Sequence, residues 1–175
     1  RESIRFLKNY AGKRPLLLIA ALLKPHAPFT PAARFIDPNW QRSIKLPETY
    51  GKVDLASVPA YIRARITKPN QWTRLLADPE RARKRLAMYY SSVAHVDHCV
   101  GEVLDALGEA GLQDDTVVAY TSDHGCMCGE HGLWDKTVFY ESSAGVPLIV
   151  RAPGLSRAGS VCPAPVSQVS LLPTL

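Results

Sequence analysis

The order of apolar and polar positions divides this chain into an extended apolar run, an irregular excursion, one long helix and two further strand candidates. Pro15 to Leu23 is a continuous apolar stretch bounded by Arg14 and by Lys24-Pro25, a pattern that predicts a strand buried on both faces, as in a parallel sheet covered by helices. From Lys24 to about Val58 the chain is proline-rich and holds no sustained period, which predicts a long excursion over the surface; long loops in compact domains are often functional. Asp78 then suits a helix N-cap and Pro79 the first helical position, with Gly108 and Gly111 as stops. Between them Leu86, Tyr89, Val93, Val96, Val100, Val103 and Leu107 recur at three- and four-residue steps and form one apolar stripe. Thr116 to Thr121 and Val146 to Val150 read as a second and a third strand. Strand, helix and strand in that order predict an α/β fold with parallel neighbours.

At 175 residues, 46% of them hydrophobic and 21% charged, the chain has the size and composition of one globular domain. Its longest apolar run is about half of the ~20 residues a membrane-spanning helix needs, so no membrane partner is expected. The start at Arg1-Glu2-Ser3 does not resemble a signal peptide, and the chain reads as an internal piece of something longer. The net charge of +5 conceals an asymmetry. Residues 1–88 carry 18 Lys/Arg against 6 Asp/Glu, and residues 89–175 carry 3 against 10. A basic half can attract nucleic acid, but no nucleic-acid motif accompanies it, so a solvated basic face is the expectation. Cys99, Cys126, Cys128 and Cys162 make no disulfide framework, and Cys126-x-Cys128 lacks zinc-pair spacing.

The stretch richest in chemistry runs from Thr121 to Lys136, at the carboxyl end of the second strand, where ligands bind in open α/β sheets. Asp123 offers carboxylate oxygens and His124 an imidazole nitrogen, while Gly125 allows a sharp turn beneath them. Gly125, Gly129 and Gly132 permit a close-packed loop that brings Lys136 back as a cation for an anionic oxygen. Taken singly, these are also ordinary turn residues and a solvated lysine. Glu130 and His131 equally read as polar groups that pack the turn.

Three segments together resemble the sulfatase family of the alkaline-phosphatase-like superfamily. They are Lys24-Pro-His-Ala-Pro-Phe29 after an apolar strand; Tyr89 to Leu107; and Thr121-Ser-Asp-His-Gly125 with Gly129-Glu-His-Gly-Leu-Trp-Asp-Lys136, Val146-Pro-Leu-Ile149, Pro153-Gly154 and the closing Leu172-Pro-Thr-Leu175. Residues 36 to 80 stay unmatched. The resemblance implies an alkaline-phosphatase-like, mostly parallel sheet flanked by helices and left incomplete. Residues 1–175 would be part of a catalytic domain, without the N-terminal nucleophile segment and the C-terminal subdomain. It implies Asp123 and His124 as ligands of a divalent metal, with calcium first and manganese or magnesium as alternatives. Lys136 and His26 would bind the sulfate ester and assist the leaving oxygen, with Lys24 as a secondary contact. The family's nucleophile is a formylglycine made from Cys (or Ser) in a Cys-x-Pro-Ser-Arg type motif, which none of the four cysteines matches. The function implied is sulfuric ester hydrolysis on a small-molecule or saccharide sulfate, the piece alone being inactive. A phosphate or phosphonate ester hydrolase of the same superfamily and a noncatalytic anion-binding module are the alternatives.

Overall fold

The computed structural model describes every residue except Ala11, Lys13 and Ser156, together with the side chain of Gln41. Its elements run α1 (Glu2–Asn9), a 3-10 turn (Ala33–Phe35), α2 (Trp40–Ser43), α3 (Ala60–Thr67), α4 (Gln71–Leu76), α5 (Pro79–Glu109), β1 (Val118–Thr121), β2 (Met127–Cys128), β3 (Trp134–Asp135), α6 (Glu141–Ala144), β4 (Leu148–Arg151), a second 3-10 turn (Gln168–Ser170) and α7 (Leu171–Thr174).

The spine is α5, 31 residues and therefore roughly 46 Å long. Its ends follow from the sequence. The Asp78 carboxylate accepts from the amides of Glu80 and Arg81 at 3.0 and 3.2 Å, which satisfies donors the helix itself cannot. At the other end Gly111 takes φ +68°, its N–H donates to Gly108 at 2.9 Å, and the Leu112 N–H donates to Leu107 at 3.1 Å. These are the two bonds of a Schellman stop, and they need a residue tolerant of the left-handed conformation. The predicted stripe is the packed face. Leu86, Val96 and Leu107 are buried and Tyr89, Val100 and Val103 half-buried, while Val93 stays 38% exposed.

Two small cores line this spine and a third lies beyond it. Leu7 of α1 packs on Ala106 and Leu107, with Leu16, Leu18 and Val118 closing around them. Leu86, Cys128 and Trp134 form the central core, covered by Trp72, Leu75, Leu76 and Tyr89. Ile62 of α3 meets Met127, Leu133 and Val138. The last two cores clamp the loop that follows β1 between α3, α4 and α5.

Mixed α and β content is as expected, but the strands differ from expectation. Parallel neighbours were expected for Pro15 to Leu23 and Thr116 to Thr121, either side of the long helix, whereas β1 and β4 pair antiparallel, Val118 opposite Arg151 and Thr121 opposite Leu148. The reason is the connection: residues 122–147 carry a short hairpin and the one-turn α6, not the crossover helix that a parallel pair needs. The run Pro15 to Leu23 is not part of a ladder among the described residues. Leu16 and Leu18 enter the α1–α5 core, whereas Leu17, Ile19 and Leu23 are 72%, 81% and 82% exposed. The apolar run is thus covered on one side only by the residues described. No helix among them is long and apolar enough to cross a membrane.

Candidate functional site

A cavity of about 570 Å³ opens where the extended run ends, where β1 ends and where α4 and α5 face each other. Lys24, His26, Asp123, His124 and Lys136 all line it. Two segments widely separated in the chain, residues 24–26 and 123–136, therefore bring every predicted site residue to one place.

Asp123 and His124 sit just past β1, where the chain leaves regular pairing. The Ser122 hydroxyl donates to the His124 carbonyl at 2.9 Å, and the His124 amide donates to Asp123 Oδ1 at 3.1 Å. His124 Nδ1 lies 2.7 Å from the Gly125 carbonyl, which makes it the N–H donor and leaves the Nε2 lone pair directed outward. Metal-ligating histidines are oriented this way, with one ring nitrogen tied to a carbonyl and the other free to bind. Asp123 Oδ2 is 3.5 Å from that Nε2. Two donors 2.3–2.6 Å from one calcium ion, at right angles to each other, would be roughly 3.3–3.7 Å apart. The pair thus fits one rim of a divalent cation site. Burial tends to raise the Asp123 carboxyl, but the adjacent His124, the backbone amides and the Ser122 hydroxyl outweigh it and hold the group below its ordinary range. Two donors do not complete a shell, and no cluster of three or more His, Cys, Asp or Glu suited to a metal occurs among the described residues.

Gly125 serves a different purpose from the turn expected of it. Its φ is not in the left-handed region; the constraint is space, because a Cβ there would stand 2.3 Å from the Ser142 carbonyl oxygen. The glycine lets the Asp123–His124 turn lie directly on α6, to which its N–H donates at 2.8 Å through Ser143.

Lys136 returns to the site on the β2–β3 hairpin, in which Met127 pairs with Asp135 and Cys128 with Trp134. Gly129 (φ +112°) and Gly132 (φ +70°) make the hairpin turn possible. Asp135 and Thr137, on either side of Lys136, also adopt positive φ, at 81° and 69°, and so does His131 at 54°. Such non-glycine conformations cost on the order of 1–3 kcal/mol each and gather at functional sites. The Lys136 ammonium donates to His124 Nε2 at 2.9 Å. Glu130 and His131 brace the loop: Glu130 accepts from the Cys128 amide at 2.5 Å and from Ser142 at 3.3 Å, and His131 stacks on Tyr140 at 4.6 Å. Tyr50, from the irregular excursion, bridges to Glu130 and donates through its hydroxyl to the Leu76 carbonyl at 2.6 Å.

On the opposite wall, His26 Nδ1 lies 2.6 Å from the Ala27 carbonyl, which again leaves Nε2 available. Lys24 instead donates to the Pro28 carbonyl at 2.9 Å and to the Thr30 hydroxyl at 2.7 Å, so its amine ties its own loop together. Burial raises the Tyr89 phenol well above its ordinary range, so it stays protonated at neutral pH. The Cys128 thiol, hydrogen-bonded to Cys126 and buried, is pushed up, and the same bond pulls Cys126 down. All four cysteines are free.

Sequence reasoning missed the aromatic and cationic wall: Phe29, Gln71, Trp72, Arg85, Tyr89 and Trp134 also line the cavity. Arg85 and Tyr89 stand four residues apart on α5, a spacing that puts them on one face, but nothing in the sequence says what that face meets.

A family model described as Sulfatase matches residues 1–175. A choline-sulfatase of Rhizobium meliloti (strain 1021) is 32% identical over 164 residues, covering 94% of this chain and 31% of that protein. Among solved structures, a phosphonate monoester hydrolase, SpPMH from Silicibacter pomeroyi, superposes with a TM-score of 0.71 at 26% identity, covering 87% of this chain and 32% of that one. BT4656, solved with its substrate D-glucosamine-2-N,6-O-disulfate, gives a TM-score of 0.68 at 22% identity over 91% of this chain and 43% of its own. The fold is therefore an incomplete α/β domain of the alkaline-phosphatase-like class, and the chain spans about a third of the length of the curated relatives it matches.

Proposed function

Because this chain belongs to the sulfatase family, we propose that the full-length protein carrying it hydrolyses sulfate monoesters, small-molecule or saccharide, with a divalent cation. Residues 1–175 are then part of the catalytic domain, and the nucleophile comes from a segment outside them. The observation that carries this reading is the meeting of Lys24, His26, Asp123, His124 and Lys136 around one cavity.

Each residue has a role that its surroundings support. Asp123 and His124 Nε2 would hold the cation, calcium before manganese or magnesium, since the family is built on oxygen-rich sites. When bound, the cation would neutralise the sulfate oxygens and act as a Lewis acid. For His124 to bind a cation, Lys136 must release Nε2, and the freed ammonium then has a sulfate oxygen to meet. His26, through Nε2, would hand a proton to the departing oxygen, where charge builds as the S–O bond breaks. Lys24 contributes positive charge at the rim and holds the His26 loop in shape. The formylglycine that the family implies finds no matching Cys-x-Pro-Ser-Arg motif in these 175 residues, so no step is assigned to it here.

Hydrolysis of 4-nitrophenyl sulfate by the full-length protein tests this. Asp123→Ala and Lys136→Ala should each lower kcat/KM by about 10²- to 10⁴-fold. Wild-type rates in both variants would overturn the assignment. The likeness to a phosphonate monoester hydrolase supports a second reading at superfamily level. A higher kcat/KM on 4-nitrophenyl phenylphosphonate than on the aryl sulfate would favour that one.

A further inference from the structure

Arg85 stands apart from the other cations of its helix. Arg83 is held by Glu80 at 3.3 Å and by the Ile44 carbonyl at 2.7 Å, while Arg81 and Lys84 point to solvent. Arg85 is half-buried and lines the cavity, and its guanidinium lies over three rings: Phe29 at 4.9 Å, Trp72 at 5.2 Å and Trp134 at 5.9 Å. Its Nε is buried without a hydrogen-bond partner, and no carboxylate pairs with it among the described residues. The rings favour a cation through their quadrupoles but accept no conventional hydrogen bond. A guanidinium so placed keeps its charge and a planar fork of donors, which matches a carboxylate or sulfate in two-point contact.

From this collar we infer that Arg85 selects the substrate of the sulfatase reaction proposed above, by binding a second anionic group on the leaving-group moiety. The same collar works against a quaternary ammonium ester such as choline sulfate. Aromatic cages of this kind recognise such cations, and here the rings are already occupied by one. Like charge then opposes the ligand, as do Lys24 and Lys136 around the same cavity. Arg85 is a specificity residue in this account, distinct from the Asp123, His124, Lys136 and His26 machinery.

The test compares D-glucosamine-2-N,6-O-disulfate, D-glucosamine-6-O-sulfate and choline sulfate on the full-length protein, by kcat/KM and by calorimetric binding. Wild type should prefer the disulfate over the monosulfate by about 10- to 100-fold, the range of a charge-assisted hydrogen-bond pair. Arg85→Gln should bring that ratio near one while changing monosulfate turnover by less than about threefold, and choline sulfate should gain relative to the sugars. Should Arg85→Gln fail to fold, Arg85→Lys decides, since losing the planar fork should lower the ratio several-fold. A wild-type ratio near one, or an unchanged ratio in the folded variants, overturns the inference. So does an equal loss on both sugars together with a lower unfolding temperature, which would make Arg85 a structural brace. Binding that depends on Arg85 without hydrolysis of any sulfate ester would keep the anion site and sink the catalytic reading.

Discussion

Replacing Gly125 by alanine adds one methyl group and, on this structure, displaces the centre of the site. The new Cβ would lie 2.3 Å from the Ser142 carbonyl oxygen, 3.0 Å from that carbonyl carbon and 3.0 Å from the Gly145 oxygen. Ordinary carbon–oxygen contact is about 3.3 Å or more, so the turn must retreat from α6 by roughly 1 Å. All three contacts are with backbone, and no side-chain rotation relieves them. The retreat also strains the Gly125–Ser143 hydrogen bond at 2.8 Å. Overpacking of this kind costs about 1–3 kcal/mol and a lost hydrogen bond about 1 kcal/mol, together about 2–4 kcal/mol. In a full-length protein about three times this size, like the matched relatives, that is a fall in Tm of roughly 2–5 °C. Because His124 is the adjacent residue, a shift of about 1 Å should also lower kcat/KM by about 10²-fold at temperatures where the variant is folded. Thermal unfolding by circular dichroism and aryl sulfate turnover in the full-length protein read the two effects separately. Gly111→Ala, strained at φ +68° but with nothing within 4 Å of the added carbon, serves as the control that loses stability without losing activity. Wild-type Tm and turnover in Gly125→Ala would refute the packing argument.

Other substitutions probe the frame around the site. Trp134→Ala, which empties the largest fully buried side chain among the described residues, should cost about 3–5 kcal/mol in urea unfolding and remove one ring from beneath Arg85. Asp78→Ala removes the cap of α5 and should cost about 0.5–2 kcal/mol in the same assay, with activity retained. Gly101→Ala, inside α5 with open space around it, should stabilise by up to about 1 kcal/mol; destabilisation there would mean that an unseen contact needs the glycine.

What the sequence made legible followed physical locality. The cap at Asp78, the stop at Gly111 and the stripe from Leu86 to Leu107 are decided by neighbours three to five residues away, and the structure bears them out. The meeting of the His26 segment with the Asp123–Lys136 loop came from likeness of motif and order, since no local periodicity encodes it. Pro15 to Leu23 was legible as extended and apolar, but its coverage depends on which segments lie against it, and that is a tertiary fact. The antiparallel β1–β4 pair was missed because the hairpin and α6 between them carry too few residues of regular pattern to distinguish a return from a crossover. Left-handed Asp135 and Thr137 left no glycine to announce them. The Arg85 collar draws on Phe29, on Trp72 in a stretch where no motif was recognised and on Trp134, three positions that only packing brings together.

The claim that these segments surround one tetrahedral anion is tested most directly by a crystal structure of the full-length protein with calcium and sulfate. The account predicts an ion coordinated by the Asp123 carboxylate and His124 Nε2. It also predicts Lys136 swung from His124 to a sulfate oxygen, with His26 on the same sulfate. A calcium ion bound elsewhere, or a sulfate outside this cavity with Lys136 still on His124, would contradict it.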